Sequence, residues 1–185
     1  MKNIVTSEVK PIELDGNNLP WVNNLKHLGH IFEKDNSMKL DISKKRGMFI
    51  GKTNSLLQEF NNVSKVVFMK IFNSFATNIY GSNLWDIFGK NCDKLYKSYN
   101  VAIRNVLKLD RCTHCYLLEP LSGVSHLQTM LSSRFVTFHK GLRSCSKLPV
   151  RFLARLYEED LRTVHGRNVY EITKLCCLES CDMER

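Results

Sequence analysis

Cys112-Thr113-His114-Cys115 is the tightest set of metal-ligating side chains in the sequence. Its spacing is that of a zinc half-site, and zinc needs a second pair to complete its tetrahedron. Cys176, Cys177 and Cys181 could supply that pair only from far along the chain, in a Cys-Cys-x3-Cys spacing that is not a usual knuckle. Cys112 and Cys115 are therefore the metal candidates, and ordinary free thiols the plainer reading. A cysteine nucleophile with a histidine base would pair Cys145 or Cys115 with His126 or His139, but no local motif stands behind it. Lone histidines here read as surface or core residues. Two-metal chemistry needs converging carboxylates. The sequence holds no Asp-Asp pair, and its one acidic run, Glu158-Glu159-Asp160, falls inside an expected helix. No residue thus qualifies as catalytic, and neither a cofactor nor a small-molecule ligand is expected.

Cationic side chains are the other chemistry on offer. Lys plus Arg number 27 against 18 Asp plus Glu, a formal charge of +9, with a pI near 9.3. That balance favours polyanionic partners. Lys39, Lys44, Lys45, Arg46 and Lys52 gather around the start of one expected helix, with Gly47 and Gly51 spaced by four. Each such glycine weakens a helix by about 1 kcal/mol relative to Ala, which close approach of a backbone or a nucleic acid would offset. Another expected helix carries Lys94, Lys97, Arg104 and Lys108 opposite its apolar stripe. Arg134, Lys140, Arg143, Lys147, Arg151, Arg155, Arg162 and Arg167 make the C-terminal part basic, either as a solvated face or as a phosphate-binding one.

These residues need elements to hold them. The 185 residues, 43% hydrophobic, suit one domain with a real core. Residues 8–15 and 25–33 alternate like two strands around the turn-rich Gly16-Asn17-Asn18-Leu19-Pro20, and Gly29 marks a bulge or a close backbone approach. The period then becomes helical. Ile42, Phe49, Leu56 and Phe60 share one side of a helix. Asn62 or Ser64 caps the next, with Val63, Val67, Ile71, Phe75 and Ile79 as its stripe, beside Val66 and Phe72. Asp93 caps a third, with Leu95, Tyr99, Ala102, Ile103, Val106 and Leu107 inward. A fourth spans 125–142 and buries Leu127, Leu131, Phe135 and Phe138. Pro149 opens a fifth, with Leu153, Tyr157, Leu161 and Val164 buried and Gly166 at its end. Asn168 with Glu171 reads as a capping box for a last short helix. The expected fold is mainly α, an N-terminal β-hairpin followed by a bundle of five or six helices. The phenylalanines at helical spacing read as core. Trp85 packs on the helix after it, and Trp21 leads into the second strand.

Three strings go beyond periodicity. Leu25-Lys26-His27-Leu28-Gly29-His30-Ile31-Phe32 resembles the F-K-Y-L-G strand that follows the palm in reverse transcriptases of non-LTR, jockey-like retrotransposons. Asn78-Ile79-Tyr80-Gly81-Ser82-Asn83-Leu84-Trp85 resembles the L-Y-G-S-E-x-W string that ends a thumb helix there. Asp160-Leu161-Arg162-Thr163-Val164-His165-Gly166-Arg167-Asn168 is similar to a D-x-R-S-x-x-G-x-N string near their C-terminus. Order and rough separation match, and the resemblance covers about residues 8–172.

The resemblance implies a division into residues 1–36, a hairpin remnant of palm and primer grip; 37–111, a helical thumb; and 112–185, a basic helical extension. It puts Lys26, His27, Leu28, Gly29 and His30 at the primer grip. His27 stands where the family usually has Tyr, so a hydrogen-bonding ring remains and the stacking surface shrinks. The thumb would bring Lys39, Lys44, Lys45, Arg46, Lys52, Arg104 and Lys108 to the phosphates of an RNA/DNA template–primer duplex. The family's RNA-directed DNA polymerase uses Mg2+ on aspartates of the palm, which have no counterpart here. The chain alone is expected to be inactive, a fragment lacking palm and fingers. The rival expectation is a non-catalytic helical protein-interaction or nucleic-acid-binding module. Odd cysteine number, no secretory leader and no long uncharged apolar run point to an intracellular place, nuclear or cytoplasmic, without membrane contact.

Overall fold

The computed structural model of the protein describes residues 12–60 and 62–182, with side chains as far as residue 176. It is mainly helical behind two short antiparallel strand pairs. β1 (Glu13–Leu14) pairs with β2 (Asn17–Asn18), and β3 (Asn24–His27) pairs with β4 (His30–Glu33). Asp15-Gly16 and Leu28-Gly29 form the two turns, each with positive φ at both residues. That is the two-residue hairpin geometry that matches the twist of the flanking strands. Two expectations change here. Residues 25–33 are not one strand with a bulge but strand, turn and strand, because Leu28 joins Gly29 in the left-handed region. Asn17 and Asn18, read as turn, are themselves β2. Residues 8–11 of the expected first strand lie outside the described residues.

Among the described residues seven α-helices follow: α1 (Lys39–Glu59), α2 (Lys65–Ile71), α3 (Lys90–Leu107), α4 (Leu118–Ser122), α5 (Leu127–Arg143), α6 (Leu148–Glu158) and α7 (Val164–Asp182). The hairpin caps α1 directly. Glu33 Oε2 accepts from the backbone N–H of Leu40 at 2.8 Å and from Ser37 Oγ at 3.1 Å, so a free amide of the first turn is satisfied by a strand residue. α1 buries Ile42, Phe49 and Leu56 as the spacing requires, and Asp41 with them.

α2 departs from its expected register. Ser64 caps it, its hydroxyl accepting from Val67 N, and it runs on into a π-helical turn over Phe72–Ala76. Phe68, Met69, Phe72, Ala76 and Ile79 are buried, while Val63, Val66, Val67 and Phe75 face out. The larger rings decide this. Phe72 packs at 6.0 Å from Phe49 and 5.9 Å from Tyr99, ring centre to ring centre, and turning the stripe one residue toward Val67 would remove it.

α3 carries the stripe read from sequence, all six residues buried. It starts at Lys90, so Asp93 lies in the first turn instead of at the cap, where it still favours the helix dipole. Leu127, Leu131 and Phe135 of α5 join the same core, with Phe138 half-buried. Pro149 sits in the first turn of α6 as expected, but of that helix only Ala154 is buried. Leu153, Tyr157 and Leu161 are exposed. Gly166 does not end α6; it lies in the first turn of α7, against the Asp160 carbonyl, where a Cβ would collide. Thr163, not Asn168, caps α7, its hydroxyl accepting from Gly166 N at 2.9 Å.

Candidate nucleic-acid interface

A buried carboxylate joins the hairpin to the helices. Asp41 in the first turn of α1 is fully buried. Its Oδ1 accepts from Ile31 N at 3.1 Å; its Oδ2 accepts from His30 Nδ1 at 3.0 Å and from Trp85 Nε1 at 2.9 Å. A buried charge is tolerated only when its lone pairs are matched, as they are here. His30 in turn lies beside Tyr80, ring centres 5.3 Å apart and tilted, and so close to Gly81 that a Cβ there would overlap the imidazole. From Trp85 the chain of contacts continues to α7. Asn168, also fully buried, donates from Nδ2 to the Trp85 carbonyl at 2.8 Å, and its Oδ1 accepts from Ile87 N at 3.1 Å. Arg167 beside it donates to Asp86 at 3.0 Å. The three strings singled out in the sequence thus meet at one joint. Trp85 belongs to this joint and reaches back to α1, not merely forward to the helix after it.

The expected grip residues divide at this joint. Lys26, His27 and Leu28 are exposed with Gly29 at the hairpin tip. His30 is turned inward against Asp41 and is not free to touch a ligand.

The five cations around α1 are not one cluster. Residues seven apart share a helix face, so Lys39 goes with Arg46 and Lys45 with Lys52. Arg46 donates to Ser98 Oγ on α3 at 2.7 Å. Lys45 sits over the Tyr80 ring, 5.7 Å from its centre. Lys52 sits 5.0 Å over Phe75 and donates to the Phe75 carbonyl at 3.3 Å. Lys44 is exposed on a third direction. Between α1 and α3 runs a groove of about 350 Å³, lined by the apolar Phe49, Ile50, Val101 and Ala102 together with Arg46, Lys94 and Lys97, the polar Thr53, Asn54, Ser98 and Asn105, and no carboxylate. Lys94 and Lys97, opposite the stripe of α3, are not among the phosphate-contact candidates expected from the sequence. Arg104 is occupied elsewhere, donating to the Thr113 carbonyl at 2.6 Å and to Cys115 Sγ at 3.3 Å. Lys108 is exposed at the left-handed end of α3.

No known family model, curated protein or solved structure matches this chain.

The remaining candidates are placed as follows. Cys112 and Cys115 are exposed. Cys115 is a hydrogen-bond acceptor for Arg104 and Asn100, and His114 stacks on Tyr116. Cys176 is exposed; Cys177 and Cys181 lie outside the residues whose side chains are described. Among the described residues no group of three or more His, Cys, Asp or Glu side chains converges on a cation-sized site. His126 pairs with Glu119 at 3.6 Å and His139 with His165 at 3.0 Å, so neither faces a cysteine partner. Burial lowers the pKa of both His139 and His165. Cys92 is pushed up to about 12 by burial, which makes it an inert core thiol. In the C-terminal part, Arg134 holds the Thr77 carbonyl, Arg143 pairs with Glu158, Arg162 with Asp160 and Arg167 with Asp86. Half of that basic set therefore has a partner within the chain. No described helix is long and apolar enough to cross a membrane.

Proposed function

We propose that the chain clasps an RNA/DNA template–primer duplex, as the primer-grip hairpin and thumb of a non-LTR retrotransposon reverse transcriptase. Polymerisation would come from a palm and fingers that these residues do not supply, with Mg2+ held there. One observation carries the reading. The same helix, α1, holds the hairpin through Asp41 in its first turn and walls the carboxylate-free groove rimmed by Arg46, Lys94 and Lys97. The three cations of such a groove attract phosphates through charge, and phosphate contacts carry no base sequence. The hairpin tip adds Lys26 and the exposed imidazole of His27. The resemblance of the three strings to that family supports the same reading, because they are the residues that hold hairpin, α1 and α7 in place.

The test is binding of the chain to a fluorescent RNA–DNA hybrid, compared with Arg46→Ala/Lys94→Ala/Lys97→Ala. Without these three cations to neutralise phosphates, the slope of log affinity against log salt should become shallower by about 2 to 3. An unchanged slope would assign the binding to another surface and retire the groove. A second reading, a non-catalytic interaction module, is favoured by a different feature, the outward apolar face of α6.

A further inference from the structure

Arg104 of α3 reaches across to the loop that follows the helix and holds a cysteine there. Its Nη2 donates to the Thr113 carbonyl at 2.6 Å and to Cys115 Sγ at 3.3 Å. Asn100, one turn earlier on the same helix, donates from Nδ2 to the same sulfur at 3.4 Å. Two donors, one of them a guanidinium, suit a sulfur in its anionic form, because an ionised acceptor makes the stronger hydrogen bond. Cys112, three residues earlier, has the opposite setting. Its backbone N–H donates to Asp110 Oδ1 at 2.7 Å. Hydrogen bonds from Cys112, backbone first and side chain second, hold the Asp110 carboxyl below its usual range. Two consecutive turns, Asp110–Thr113 and His114–Leu117, keep the segment folded. Both thiols are free and exposed, whereas Cys92 is free and buried. Reactive cysteines occupy such exposed, electropositive places.

We propose that Cys112-Thr113-His114-Cys115 is a dithiol–disulfide site that exchanges with small-molecule disulfides, Cys115 attacking and Cys112 resolving. Cys115 releases its proton to water, and its sulfur attacks one sulfur of the small disulfide. A bond forms between Cys115 and that half, and the other half leaves as a thiolate. Cys112 then releases its proton, and its sulfur attacks Cys115 Sγ. The second half leaves as a thiolate, and the Cys112–Cys115 disulfide remains. The chain has given up two electrons and two protons, and the small disulfide has become two thiols. The different neighbours set the order: the guanidinium stands at the sulfur that must attack first, and a carboxylate stands beside the one that waits. Arg104 is a positioning residue here, since the same Nη2 fixes Cys115 and the Thr113 carbonyl between the two cysteines. None of these residues lines the groove between α1 and α3, so the inference stands apart from duplex binding.

Peptide mapping of the full chain after treatment with oxidised glutathione tests it. Trypsin cuts after Arg111 and next after Arg134, so one peptide carries Cys112 and Cys115 and no other cysteine. That peptide should become two hydrogens lighter and resist alkylation, and dithiothreitol should restore it. Cys112→Ser should trap glutathione on Cys115, while Cys115→Ser should take up glutathione at Cys112 at least about 10-fold more slowly. Arg104→Ala should slow formation of the bridge about 5- to 10-fold at unchanged circular dichroism, and Arg104→Lys, which keeps a charged donor, should recover most of the rate. A peptide that keeps both thiols, carries glutathione on each, or is bridged to a cysteine elsewhere overturns the inference. Equal uptake by the two serine variants overturns the order of attack, and a rate that ignores Arg104→Ala overturns the part given to Arg104.

Discussion

Asp41 is the residue on which the hairpin depends. It accepts from three donors, two on β4 and the third on Trp85, and removing it leaves buried N–H groups unmatched. Asp41→Ala should destabilise the fold by about 3 kcal/mol or more in urea unfolding. A loss under about 1 kcal/mol would mean that the joint is not tight in solution. The sequence did not single out this residue. One Asp in the first turn of a helix is ordinary, and what marks it is two partners distant in the chain, His30 and Trp85. The histidine pair allows a pH test. His139 and His165 are both held below the usual imidazole range, chiefly by burial; Glu158 opposes the shift in each, and Arg143 adds to it in His139. The unfolded chain therefore binds more protons than the folded one below about pH 6.5. Stability should be full above that value and decline as pH falls toward the lowered pKa values. His165→Gln should flatten the decline between about pH 7 and 5.5. An identical pH profile in the variant would contradict the assignment.

At the scale of elements, legibility follows the strength of the local signal. α3 was legible because one face is uniformly apolar and the other charged. α2 was not, since valines and phenylalanines sit on all its sides and packing against Phe49 and Tyr99 selects the buried set. α6 was expected to start where it does, but it stops at Glu158 instead of running to Gly166, and its faces were inverted, since periodicity shows that a stripe exists and not which way it points. The β3–β4 hairpin was read as one strand because Leu-Gly is not a usual turn pair. Leu28 holds φ 47 and is 74% exposed, a conformation and a setting that suit Asn far better. Leu28→Asn should raise stability by about 0.5 to 1 kcal/mol, seen as a higher urea midpoint at unchanged slope. In the duplex-clasping account the same change should weaken hybrid binding, because the projecting leucine then serves contact outside the chain. A variant that gains stability and binds unchanged would remove Leu28 from the interface.

For the molecule as a whole, the mainly helical architecture behind a hairpin was legible from periodicity alone. The meeting of the three strings was not, because sequence gives order along the chain and not the contacts that place His30, Trp85 and Asn168 together. The net charge of +9 was legible, but its division was not. Arg104, Arg134 and Arg167 spend their donors on carbonyls or carboxylates of the chain itself, while Lys26 at the hairpin tip and Arg46, Lys94 and Lys97 along the groove between α1 and α3 are among the cations that face outward. Three groove cations that each displace a counterion make binding steeply salt-dependent. The most direct measurement is the affinity for an RNA–DNA hybrid between about 50 and 200 mM salt. The account predicts a fall of about 40-fold, from a slope near 0.9 per phosphate neutralised, with little change when the hybrid's base sequence is altered. An affinity that holds constant across that range, or that follows base sequence instead of salt, would contradict it.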